Sequence, residues 1–276
     1  MIEEYEIPRG SKLYFGESAR RKRAIENRAA EIFIQNGFEE IITPLFSYHQ
    51  TASKDLITFS DADNYSAALR RDSALEVSRL ILKRLGRATE HRKWFYIQPI
   101  CRYPTTEINQ IGAEAIGAND TVMLIGLCAK ILEEAGVKAI LQIGSISLLK
   151  KLQELLKIDE QTLIRHEIHK LLDRREGWVR PLVELSGVEQ LDGLSDIVPD
   201  EIKGELKRLK ETALACAGFE TVLSPFYYAD MAYYDEIYFR FLLNKKQVAM
   251  GGGYESGEGR AAGFAIYTDT LLSVGQ

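Results

Sequence analysis

Long hydrophobic runs are missing from this 276-residue chain, and no stretch approaches the roughly 20 apolar residues that cross a bilayer. That argues against a membrane protein and for a cytoplasmic one. The acidic start, with Glu3, Glu4 and Glu6, leads into no apolar core and does not read as a secretory leader. Cysteine is scarce too. Cys101, Cys128 and Cys216 lie far apart within apolar runs, a pattern of buried reduced thiols rather than a disulfide framework or zinc site. Of four histidines, His166 and His169 stand three apart, but they spell His-Glu-Ile-His without the spacing or third ligand of a zinc protease. A solvated helix face is the simpler reading, and no metal or other cofactor is expected. Excess positive charge is also absent, the net charge being -5, so the chain lacks the broad electrostatic footprint of a nucleic-acid partner. The basic stretches Arg20–Arg23 and His91–Lys93 are short and read as solvated faces.

What is present is ordinary globular composition, 46% hydrophobic and 27% charged, in a chain long enough for one large core or a core plus a small insert. Ala24, Ile25, Ala29, Ile32 and Phe33 recur at helical spacing and predict a helix from Glu17 to Asn36, stopped by Gly37. The run Phe38–Thr43 reads as a strand ended by Pro44. A second helix is expected from Ala74 to Leu85, with Ser73 and Glu76 as a capping box and Gly86 as its stop. Asp72 stands just before it, where a carboxylate either compensates the helix N-terminus or meets a ligand. Asn119 or Asp120 caps a helix ending at Gly136, and Val137–Ile143 reads as a strand. From about residue 145 to 218 the pattern turns to amphipathic helices, including Leu148–Leu156, Leu163–Leu172 and Ile202–Ala217. Strand-like runs return at Thr221–Tyr228, Glu236–Leu243 and Gln247–Met250, and a helix-forming segment, Ala262–Leu272, completes the pattern. Gly251, Gly252 and Gly253 form a cluster without the Gly-Lys-Ser/Thr of a phosphate loop; a close-packed strand end is expected there.

The most informative segment runs from Trp94 to Gly117. Phe95–Arg102 and Ile108–Ile116 alternate apolar and polar side chains around Pro104, Thr105 and Thr106, as two antiparallel strands joined by a tight turn would. One face is thereby buried and the other left to bind, with Arg102 at the end of the first strand.

This hairpin resembles motif 2 of the class II aminoacyl-tRNA synthetases, most closely the histidyl-tRNA synthetases. The helix, strand and proline ending at Pro44 resemble motif 1, the dimerisation element. The segment from Ala249 to Tyr254 resembles a glycine-rich signature of the same family, and Ala262–Leu271 resembles motif 3. The resemblance implies an α+β fold, an antiparallel sheet flanked by helices, with residues 1–144 and 219–276 as the synthetase-like core. Residues 145–218 would be a helical insertion, with no anticodon-binding domain. It also implies a histidine-like ligand pocket at Asp72, Gln110, Glu114, Tyr233, Tyr234 and Tyr254, in which Asp72 would hold an amino group.

The departures are as informative. Arg102 matches the phosphate-gripping arginine of motif 2, but Pro104 stands where a glutamate belongs, Thr270 where the motif 3 arginine belongs, and Ala229 where a histidine-specific arginine belongs. Loss of a phosphate-binding arginine can cost roughly 10³-fold in rate, so adenylation is not expected and Arg102 reads as a vestigial nucleotide contact. A synthetase-like core so stripped resembles the regulatory subunits of ATP phosphoribosyltransferase. That likeness implies no catalysis of its own, a short-form catalytic subunit as partner, dimers within a hetero-oligomer, and a part in feedback inhibition by histidine. A free-standing adenylate-forming ligase and a histidine sensor remain the alternatives.

Overall fold

Apolar residues at helical spacing and a glycine stop produce the first long element of this computed structural model, which describes residues 3–48, 55–86, 88–118, 120–228, 234–256 and 259–274. Helix α1 (Gly16–Gln35) buries Ile25, Ala29, Ile32 and Phe33, and Gly37 follows it with a φ of +77°, the left-handed conformation that a helix stop uses. Strand β1 is only Glu39–Glu40, parallel to the first strand of the hairpin. The longer strand expected to Thr43 peels away because the Gln98 side chain accepts from the Thr43 N–H at 3.2 Å, replacing a ladder bond.

Three short strands, β2 (Phe46–Tyr48), β3 (Thr58–Ser60) and β4 (Ser66–Leu69), form a separate small sheet. Helix α2 (Ser73–Leu80) continues into a π-helical turn over Ile81–Leu85. Its cap is Asp72, whose carboxylate accepts from the Leu75 N–H at 3.1 Å, not the Ser73 capping box that the sequence suggests. The hairpin follows as β5 (Lys93–Arg102) and β6 (Thr106–Ile116), paired from Lys93 with Ala115 to Arg102 with Thr106. Asp120 caps α3 (Thr121–Glu134), and β7 begins later than expected, at Ile140, and ends at Ser145.

Between β7 and β8 (Thr221–Leu223), the regular elements are all helical: α4 (Ile146–Leu156), α5 (Glu160–Ile164), α6 (Val179–Val183), α7 (Leu191–Ser195) and α8 (Asp200–Ala215), with 3₁₀ turns at Ile168–Leu171 and Val188–Gln190. The continuous helix expected over Leu163–Leu172 is broken. His166 has a φ of +54°, its N–H bonds Leu163 O, and the Glu167 N–H bonds Thr162 O. This is a Schellman stop with histidine in the usual glycine place.

Strands β9 (Tyr234–Leu243), β10 (Lys246–Ser256) and β11 (Gly259–Tyr267) and helix α9 (Thr268–Val274) complete the chain. Three expectations are revised here. The glycine cluster lies inside β10 rather than at a strand end, because a side chain at Gly251 would collide with Gly263 O and Phe239, and one at Gly252 with Ile237 O. Ala262–Ile266 is strand, since pairing with β6 and β10 overrides the helical preference of alanine. The strand expected over Thr221–Tyr228 also stops at Leu223.

The large sheet has the order β1-β5-β6-β11-β10-β9-β7-β8. Its one face carries Phe95, Ile111, Ala113, Phe239, Phe241, Phe264 and Ile266, which join α1, α3 and residues of the helical segment in a single apolar cluster. Phe33 of α1 stacks on Phe95 with ring centroids 4.9 Å apart. Among the described residues, no helix is long and apolar enough to cross a membrane. Cys128 and Cys216 are buried free thiols and Cys101 is half-buried.

Candidate functional site

The opposite face of the sheet is laid out by register. Gln98, Gln110 and Tyr267 form one row across β5, β6 and β11, and Tyr96, Gly112, Ala265, Met250, Arg240 and Gln142 form the next, running on to β7. A third row holds Trp94, Glu114, Gly263, Gly252, Tyr238 and Gly144. The glycines make room for their neighbours: a side chain at Gly263 would collide with the Glu114 carboxylate, at Gly112 with the Tyr96 ring, and at Gly144 with the Tyr238 ring.

Helix α2 packs on this face through Val77 and Ile81, against Trp94, Tyr96 and Ile116. Beneath its N-terminus, Asp72, Ala74, Tyr96, Gln110, Glu114 and Tyr234 line a cavity that Met250, Tyr254 and the β11 residues Gly263–Ala265 and Tyr267 complete. The sequence-predicted residues Asp72, Gln110, Glu114, Tyr234 and Tyr254 therefore surround one space. Tyr233 and Ala229 lie outside the described residues. Arg102 is not in the lining, but it sits near enough to Asp72 and Tyr267 to bias both electrostatically.

Glu114 is fully buried. Its Oε2 accepts from the Tyr254 hydroxyl at 2.7 Å, and Ser78 Oγ of α2 lies 2.5 Å from that hydroxyl. Removal from water pushes the Glu114 carboxyl up to about 8, against the Tyr254 hydrogen bond and the weaker pull of the nearby Tyr96 hydroxyl, which is too poorly placed to bond it, and Asp72 raises it further. Asp72 is raised as well, chiefly by desolvation. Glu114 is thus held mostly as the neutral acid at pH 7. Burial also lifts the Tyr96 and Tyr254 phenols well above their ordinary range and Tyr267 to about 12, so these tyrosines serve as hydroxyls.

Several polar atoms here are buried without a hydrogen-bond partner: Glu114 Oε1, Gln110 Oε1, the Tyr96 hydroxyl, Ser73 Oγ and Arg102 Nε. An unmade bond of this kind costs roughly 1–3 kcal/mol, and those of the set that line the cavity, on Glu114, Gln110 and Tyr96, are places for a ligand. Gln110 Oε1 is a carbonyl acceptor, and Glu114 Oε1 becomes one when a cationic N–H donor holds that carboxyl ionised, so the complement is a group rich in N–H donors. The free space enclosed is about 10 Å³, near the room that one water needs, and a larger ligand enters only as the lining shifts.

Tyr96, Tyr267, Ser78 and Met250 belong to this site yet did not stand out in the sequence. The signal for Tyr96 was Gly112, a glycine inside a strand, which marks a close approach across the pair. Ser78 and Met250 carried no comparable sign, because a helix on the face and a strand neighbour are fixed by tertiary packing. Thr270, at the expected second-arginine position, is a half-buried residue of α9. Pro104 follows a cis peptide at the hairpin turn.

A mixed, largely antiparallel sheet with this motif order, a helix-capped polar cavity and a motif 2 hairpin defines a class II synthetase-like protein. Residues 14–271 match the family model described as histidyl-tRNA synthetase. A solved structure described as an ATP phosphoribosyltransferase regulatory subunit/histidyl-tRNA synthetase from Bacillus halodurans superposes with a TM-score of 0.86 at 18% identity, covering 99% of this chain and 84% of that one. The regulatory subunit from Wolinella succinogenes is 40% identical over 99% of this chain and 96% of its own length, and that from Helicobacter hepaticus 37% identical over 99% and 98%. The chain belongs to the ATP phosphoribosyltransferase regulatory subunit family.

Proposed function

We propose that this chain is the non-catalytic regulatory subunit of ATP phosphoribosyltransferase, acting with a short catalytic subunit in the first step of histidine biosynthesis, and that the cavity under α2 takes part in histidine feedback. The observation that carries the histidine reading is the pair of buried, unpartnered oxygens, Glu114 Oε1 and Gln110 Oε1, which suit an imidazole N–H or an ammonium whose positive charge holds Glu114 ionised. Asp72 at the mouth is the counter-charge for an amino group, although it also caps α2. The two roles are compatible, since the capping carboxylate belongs to a residue that also lines the cavity.

The division into a core of residues 1–144 and 219–276 and an insertion of 145–218 belongs to the same reading, as does self-association through the motif 1 region. Feedback then requires that histidine favour one state of the assembly by differential affinity.

Mixing the chain with a short-form transferase and following phosphoribosyl-ATP formation tests the proposal: stimulation supports it, and a transferase fully active alone and indifferent to the chain sinks it. Arg102, retained with a buried unpartnered Nε, favours the adenylate-forming ligase as the second reading. Histidine-dependent exchange of pyrophosphate into ATP separates the two, since the regulatory reading predicts none.

A further inference from the structure

The polar face holds a second arginine that the histidine reading leaves unused. Arg240 lies in the middle of β9, opposite Met250 of β10 and Gln142 of β7. Its guanidinium is fixed from three sides. Nε donates to Gln142 Oε1 at 2.5 Å, Nη1 donates to the Tyr227 hydroxyl at 2.7 Å, and Cζ sits 3.7 Å from the Tyr227 ring centroid. Tyr227 is itself stacked by His166 at 5.5 Å and by Tyr238 at 5.6 Å. The His166 that ends α5 in a left-handed turn thus braces the arginine's support from the helical segment.

What this arrangement omits is a counter-ion. Arg260, two strands away, places its terminal nitrogens 2.8 Å from Asp235 and 3.0 Å from Glu236. Arg240 has no carboxylate within ion-pair distance among the described residues; both its hydrogen-bond acceptors are neutral. Gln142 and Tyr227 set the plane of the fork without cancelling its charge. A guanidinium held half-buried in that way is a receptor for a planar or tetrahedral anion, which it engages with two parallel N–H bonds.

We propose that Arg240, oriented by Gln142 and Tyr227, is an anion-binding subsite for a carboxylate or phosphate group. It adjoins the cavity, because Met250, its neighbour on the next strand, lines that space, and adjacent strands stand about 4.8 Å apart. The site therefore joins a donor-seeking end at Glu114 and Gln110 to an acceptor-seeking end at Arg240. The anion is either the carboxylate of the ligand seated in the cavity or a separate phosphate.

Calorimetric titration of the full chain distinguishes the sources. L-histidine, histamine, which lacks the carboxylate, and inorganic phosphate serve as probes against the wild type, Arg240→Met and Arg240→Lys, each checked for an unchanged melting temperature. If the anion belongs to the cavity ligand, Arg240→Met weakens L-histidine about tenfold or more and leaves histamine unchanged. If it is separate, phosphate binds the wild type and is weakened by at least the same factor in Arg240→Met. In either case Arg240→Lys falls between, since it keeps the charge and loses the fork. Should Arg240→Met not fold, Gln142→Ala, which frees the fork, takes its place with a smaller loss expected. Equal affinities of wild type and variants for every probe, or no phosphate binding together with no carboxylate-dependent loss, would overturn the proposal. The phosphate arm stands even if histidine does not bind, so failure of the histidine reading is read separately.

Discussion

The two faces of the eight-stranded sheet are made from the same strands, residue by residue, and differ in how completely they satisfy themselves. On the apolar face, Phe95, Ile111, Phe239, Phe264 and Ile266 are buried against α1, α3 and α9 and need nothing more. On the polar face, Gln110, Glu114 and Tyr96 are as deeply buried, yet each carries an atom without a hydrogen-bond partner. Burial alone therefore does not separate core from site. Unmet hydrogen-bonding capacity does, because dispersion contacts are non-directional while a buried acceptor retains its cost until a donor arrives.

Substitutions sharpen this contrast. Phe264→Ala, which opens the apolar face where Phe33 and Phe264 pack, should lower unfolding free energy by about 3–5 kcal/mol in urea titration. Next comes Gly263→Ala, whose added methyl would collide with the Glu114 carboxylate. Because that carboxylate is held by Tyr254, the overpacking should cost about 1–3 kcal/mol and abolish ligand binding, and a variant that kept both would refute the assigned close packing.

Smaller per unit of pH is a third effect, a pH dependence. Glu114 titrates near 8 in the folded chain against an ordinary value near 4.5, so between those limits the folded state binds the extra proton. Stability contributed by this group is complete below the unfolded value and is lost as pH rises through the folded one, at up to about 1.4 kcal/mol per pH unit. Thermal melts of Glu114→Gln across this range should lose that part of the slope. The mildest change is Ser78→Ala, which removes the contact with the Tyr254 hydroxyl and should cost about 1 kcal/mol.

The apolar face and the hairpin were legible in the sequence because alternation has a period of two and turn residues mark its ends. Asp72, Gln110, Glu114, Tyr234 and Tyr254 were legible only through family likeness, since nothing local distinguishes them from other polar strand residues. Other features were hidden because they arise from tertiary context. Ala262–Ile266 has helical composition but is caught between two strands. The Ser73 capping box gave way to Asp72 one residue earlier. Arg240 looks like any outward arginine until register sets it beside Gln142 and the loop brings Tyr227 over it.

The most direct test of the regulatory account measures histidine inhibition in the reconstituted transferase complex carrying this chain as wild type, Gln110→Ala or Glu114→Gln. The account predicts that the variants still stimulate phosphoribosyl-ATP formation but no longer transmit inhibition by histidine. Stimulation with inhibition unchanged would contradict it, by showing that histidine is sensed elsewhere in the complex.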